Sequence, residues 1–176
     1  YKDIYFENVS DSTWLENMNS EILQRDNNNV SIWSLAIDHM GFLWVLHEQG
    51  VQGYQVSGTN KITLEAISPT DFLSYISYEQ GDRIKIDGQN NKWIITRQGV
   101  WVIQESTAFW PSQEGLHPEN SGLLSDIVYD VAFDNNRGLA YLSTEKGISI
   151  MQIPFADTPS NVENIYLSPN PFIIPD

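Results

Sequence analysis

Asp38-His39-Met40-Gly41-Phe42-Leu43-Trp44-Val45, followed by Gly50-Val51, is the stretch that decides the fold. An apolar run, Ile32-Trp33-Ser34-Leu35-Ala36-Ile37, leads into the Asp. An Asp with Gly or Asn close behind it makes a tight turn, because the carboxylate bonds nearby backbone amides and glycine tolerates positive φ. The pattern returns twice. Arg83-Ile84-Lys85-Ile86-Asp87 precedes Gly88-Gln89-Asn90-Asn91, then Lys92-Trp93-Ile94-Ile95-Thr96, then Gly99-Val100-Trp101-Val102. Val128-Tyr129-Asp130-Val131-Ala132-Phe133-Asp134 precedes Asn135-Asn136-Arg137-Gly138, then Ala140-Tyr141-Leu142-Ser143-Thr144, then Gly147-Ile148-Ser149-Ile150. Asp38, Asp87 and Asp134 lie 49 and 47 residues apart; Gly50, Gly99 and Gly147 lie 49 and 48 apart. Trp44, Trp93 and Tyr141 each stand six residues before their glycine, and the third unit has one extra residue in its first turn.

Each unit predicts a strand ending at the Asp, a second strand carrying the aromatic, and a third after the glycine, at Val51 to Val56, Val100 to Gln104 and Ile148 to Ile153. A looser fourth strand is expected at Lys61 to Ile67 and at Thr107 to Trp110. Four antiparallel strands recurring at this period are the mark of a β-propeller blade, whose faces are buried only by stacking on its neighbours. The expected fold class is therefore all-β, with about three four-stranded blades at 30–67, 82–110 and 126–153. A closed propeller needs about 4–8 blades, so the expectation is part of a larger ring. Residues 1–29 are expected to hold the end of a preceding blade (Asp3-Ile4-Tyr5-Phe6) and a connector with one helical turn within 13–24. Residues 68–81 and 111–125 read as inter-blade connectors, and 154–176 as a linker toward an immunoglobulin-like or sorting domain.

Alternation adds detail. Leu35 and Ile37, Ile84 and Ile86, and Val131 and Phe133 are expected on one face of each first strand, with the small Ala36 and Ala132 at the alternate position. Lys85 breaks that pattern and is expected to reach toward a central channel. The composition agrees: 41% apolar residues and 12% aromatics describe a globular, β-leaning chain. With 9 Lys+Arg against 23 Asp+Glu the net charge is -14, which repels nucleic acid and an anionic membrane surface. No apolar run approaches the length that spans a bilayer, so no direct membrane insertion is expected. The chain opens Tyr1-Lys2-Asp3-Ile4 without a Met and is expected to be cut from a longer precursor. It has no cysteine, which excludes disulfides, thiolate zinc sites and cysteine nucleophiles.

The string Asp-x-x-Gly-x-Leu-Trp-Val at Asp38 to Val45, with Gly50-Val51, resembles the two-component-regulator propeller repeat of hybrid histidine kinase sensor domains. The connector Asn120-Ser121-Gly122-Leu123-Leu124-Ser125 resembles the segment before such repeats. In the tail, Tyr166-Leu167-Ser168-Pro169-Asn170-Pro171-Phe172 is similar to the Pro-Asn-Pro opening of the C-terminal sorting domain of type IX secretion cargo. Together these resemble secreted β-propeller proteins, including the PorZ-like propeller accessory proteins of the type IX secretion machinery. The resemblance implies export to the periplasm, the outer membrane surface or the medium.

The search for chemistry finds little. His39, His47 and His117 show no His-x-x-x-His or His-Glu-x-x-His spacing. The turns Asp26-Asn27-Asn28-Asn29, Asp87 to Asn91 and Asp134 to Arg137 lack the full calcium-loop pattern and read as ordinary β-turns. No nucleophile elbow or phosphate loop exists. No catalytic residue, metal ligand or cofactor is expected. Trp44, Trp93 and Tyr141 recur in register and read as core filling. Trp33, Asp82 and Tyr129 share one register, five residues before each Asp, and with Lys85 and Trp110 are the candidate binding residues, since sugars stack on aromatics beside acidic groups. The expected function is a non-enzymatic recognition or scaffold segment of an exported bacterial protein, with a protein or glycan partner and self-association through exposed blade faces. The alternative is a periplasmic sensory domain of a hybrid two-component regulator. A propeller lyase or glycosidase ranks below both.

Overall fold

The computed structural model describes residues 31–57, 63–66 and 73–155. The expectations for Asp3 to Phe6, for 13–24, for the 26–29 turn and for Tyr166 to Phe172 lie outside the described residues. The described residues form eleven strands and no helix. The first sheet joins β1 (Ile32–Ile37), β2 (Leu43–His47), β3 (Gly50–Ser57) and β4 (Thr63–Ala66) in that order. The second joins β5 (Arg83–Ile86), β6 (Lys92–Thr96), β7 (Gly99–Ile103) and β8 (Phe109–Trp110). The third joins β9 (Val128–Asp134), β10 (Leu139–Thr144) and β11 (Gly147–Gln152). Every pairing is antiparallel between chain neighbours, the meander of a propeller blade. The all-β, blade-like fold is as the repeat predicts. The third sheet departs from the four-stranded expectation, having three strands among the described residues, and the three sheets do not close a ring.

The sheets stack in chain order, β1 and β2 against β5, and β5 and β6 against β9. Alternation in the middle sheet sends successive residues to opposite cores. Ile84, Ile94, Trp101 and Ile103 join Trp44, Leu46 and Val51 of the first sheet. Trp93, Ile95, Val100 and Val102 join Val128, Val131, Ala140 and Leu142 of the third. This is why Trp93-Ile94-Ile95 and Val100-Trp101-Val102-Ile103 run without a polar residue: both faces are buried. The outer sheets each have one such face. Ile37 is 69% exposed on the far side of the first sheet, and Ile148 is 67% exposed on the far side of the third.

Each Asp landmark closes its turn. The Asp38 carboxylate accepts from the Met40 and Phe42 amides at 3.0 Å and from the Trp44 indole N–H at 2.9 Å. Asp87 does the same with Gln89, Asn91 and, at 2.8 Å, the Trp93 indole. A buried carboxylate is tolerated when its lone pairs are filled, and these are. In the third unit the extra residue alters the geometry. Asp134 pairs with Arg137, whose guanidinium donates to the Tyr141 hydroxyl at 3.1 Å. Tyr141 is half-buried on the outward side of its sheet, unlike the buried Trp44 and Trp93. At the other turn, Gly50, Gly99 and Gly147 have φ of 143°, 127° and 127°, a region closed to side chains, which explains their periodicity.

Candidate functional site

The junctions between sheets hold most of the chemistry. At the first, Lys92 is buried to 3% exposure, with its ammonium 2.8 Å from the Asn90 carbonyl, 3.4 Å from Asp38 and 5.0 Å from the centre of the Trp44 ring. Carboxylate, carbonyl and aromatic face together replace its hydration. Burial pushes the Asp38 carboxyl up, but the Trp44 indole, the Phe42 amide, Lys92 and the Met40 amide together hold it below its ordinary value. Turn-to-turn bonds repeat across the junctions. The His39 amide donates to Asn90 Oδ1 at 2.8 Å, and the Gly88 amide to Asn135 Oδ1 at 3.3 Å. The Ile84 amide donates to Ser34 Oγ at 3.2 Å.

Of the candidate binding residues, Lys85 crosses to the next first strand and pairs with Asp130 at 2.8 Å. Burial pushes Asp130 up, but Lys85, the Val131 amide and Arg83 lower it overall. Tyr129, beside that pair, is 47% exposed. Asp82 is buried; its Oδ2 accepts the Glu79 amide at 2.9 Å, while Oδ1 has no hydrogen-bond partner of ordinary geometry among the described residues. Burial, with Glu79 adding to it, raises the Asp82 carboxyl despite the Glu79 and Arg97 amides and the Arg97 charge. Trp33 is half-buried at the margin of the first core, and its indole N–H has no partner among the described residues. Trp110 lies on β8, at the opposite edge of its sheet from β5, packed on Trp93 at 6.1 Å and Phe155 at 5.0 Å between ring centres. Trp33, Asp82 and Tyr129 thus share one end of the stack, at the starts of β1, β5 and β9, but only Tyr129 is open to solvent.

Sequence reasoning missed several residues. Lys92 is marked only as the one charge opening an apolar strand. Thr96 and Thr144, three residues before their glycines, close the β6–β7 and β10–β11 turns through their hydroxyls, and His47 accepts the Gln49 amide in the same place. That interval was available in the repeat. His117 meets Asp126 at 2.8 Å through contacts that no local spacing announces. Among the described residues no three His, Asp or Glu side chains converge as a metal site.

No family model matches the sequence, and no curated protein matches it. Among solved structures, the chain is similar to PorZ of Porphyromonas gingivalis, an essential bacterial surface component of the type IX secretion system. The two superpose with a TM-score of 0.54 at 25% identity, over 80% of this chain and 20% of PorZ. The chain thus spans about one fifth of PorZ, and the likeness runs to a surface component of a secretion system.

Proposed function

We propose that this chain is a non-enzymatic, blade-forming recognition segment of an exported bacterial surface protein that serves type IX secretion. The likeness to PorZ over 80% of the chain carries the reading, and the resemblance of the tail to a sorting-domain opening supports it. A protein partner is favoured over a glycan. Sugar stacking uses several open aromatics with accessible carboxylates alongside, and of the candidates only Tyr129 is open, while Asp82 is buried and Trp110 packs on Trp93. The rim left to a partner is Tyr129 with the Lys85–Asp130 pair, on the first strands of two neighbouring blades. Antibody raised against this segment, applied to fractionated source cells and to intact cells treated with protease, tests the reading. A protease-sensitive band several times larger than 20.1 kDa in the outer membrane is the expected result. An inner-membrane band moves the assignment to the sensory domain of a hybrid two-component regulator, and a soluble cytoplasmic band contradicts export.

A further inference from the structure

His117 stands in the connector between the second and third sheets, and the recognition reading makes no use of it. Its side chain is 27% exposed, and both ring nitrogens are engaged. Nδ1 lies 2.8 Å from Asp126 Oδ1, and Nε2 lies 2.8 Å from the Glu114 carbonyl oxygen. Trp101 meets the ring edge-on at 5.5 Å between centres. At Gly99 a Cβ would come within 2.8 Å of the ring. The backbone of the same residue is equally engaged. Its N–H donates to Asn120 Oδ1 at 2.8 Å, and its carbonyl accepts from the Asn120 amide and the Ser121 hydroxyl. Next to it, Leu116 exchanges two hydrogen bonds with Val100, at 2.7 and 3.2 Å, which docks the connector on β7.

Both partners of the ring are acceptors. A carboxylate and a peptide carbonyl have no proton to give, and a neutral imidazole has only one N–H. In the neutral form one of the two contacts sets lone pair against lone pair; in the imidazolium both are filled. We propose that His117 is a protonated staple, whose imidazolium clamps the connector onto the β6–β7 hairpin and the approach to β9, and whose deprotonation loosens that segment.

The groups facing the ring support the charged form. Asp126 faces it from the approach to β9 and Glu119 from the connector; β7 presents only Gly99 and Trp101, which carry no charge. Burial works against the charge, but Asp126, the Glu114 carbonyl and Glu119 outweigh it and raise His117 above its ordinary 6.5. A folded value above the unfolded one stabilises fully below the unfolded value, and that stabilisation is lost as pH rises through the folded value. The connector therefore holds fully below 6.5 and relaxes as pH rises through the folded value, which lies above 6.5. It docks beside the β6–β7 turn, at the end of the stack where β5 begins, so the device acts on the same end that carries Tyr129.

Nuclear magnetic resonance on the full chain tests this. The ring nitrogens of His117 are followed with pH, together with hydrogen exchange at the Val100 and Leu116 amides, corrected for intrinsic rate. Expected are two protonated ring nitrogens, a midpoint above 6.5, and protection that falls through the same midpoint. The fall is about tenfold for each unit between folded and unfolded values. His117→Gln removes the step. Asp126→Asn moves the midpoint down while the amide shifts of β5 and β6 stay in place, which separates loss of charge from loss of fold. A midpoint at or below 6.5, or a protection step that persists in His117→Gln, overturns the proposal.

Discussion

Asp87 shows what the repeat requires of one residue. Its buried carboxylate receives two backbone amides, the Asn91 side chain and the Trp93 indole. Asp87→Asn turns an amide group toward donors it cannot accept, and is expected to cost about 1–3 kcal/mol in urea unfolding. Asp134→Asn, whose partner Arg137 is exposed, is expected to leave the midpoint within scatter. Two other carboxylates act with opposite sign. Asp38 is held below its ordinary 3.8, so it stabilises above that value and the contribution is lost as pH falls through its folded value. Asp82 is raised above 3.8, so its ionisation costs stability as pH rises through its folded value. Asp82→Asn keeps an acceptor for the Glu79 amide and removes the charge. Thermal melts are expected to show the variant more stable than the parent at pH 7 and equal to it below 3.8. Equal melts at both values would count against a buried ionised Asp82.

At the scale of the element, glycines separate turn geometry from close packing. Gly41, at φ 84°, has nothing among the described residues within 4 Å of an added Cβ, whereas at Gly99, φ 127°, a Cβ would meet the Leu116 carbonyl at 2.9 Å as well as His117. Gly41→Ala is expected to cost about 1–2 kcal/mol for a left-handed side chain. Gly99→Ala combines about 1–3 kcal/mol of backbone strain with displacement of the connector, and denaturant melts should rank it clearly lower. The strands and turns were legible because alternation and turn chemistry are local. The spacing of Asp to Trp was legible too, though its meaning, an indole donating to a carboxylate, was not. Lys92 and His117 were illegible for a common reason. Their partners Asp38 and Asp126 belong to other turns, and period and propensity say nothing of what packs there. The shared register of Trp33, Asp82 and Tyr129 did locate one end of the stack, but not which of the three is open to solvent.

Across the whole molecule, the stacking order sets where a substitution matters. Val100 and Ile148 occupy the same repeat position, one residue after their glycines. The first is fully buried between the second and third sheets, and the second is 67% exposed. Val100→Ala is expected to cost about 2–3 kcal/mol, and Ile148→Ala less than about 0.5 kcal/mol. A similar cost at both positions would mean that the outward face of the third sheet is covered. The central claim is that the three repeats are adjacent blades and that the middle one is buried on both sides. A nuclear Overhauser spectrum of the chain tests it most directly. Trp93 lies 5.2 Å from Phe133 between ring centres, across the second junction, and Lys92 reaches over Trp44 across the first. The account predicts Trp93–Phe133 and Lys92–Trp44 cross-peaks in one spectrum. Cross-peaks within each sheet but none between sheets would contradict it.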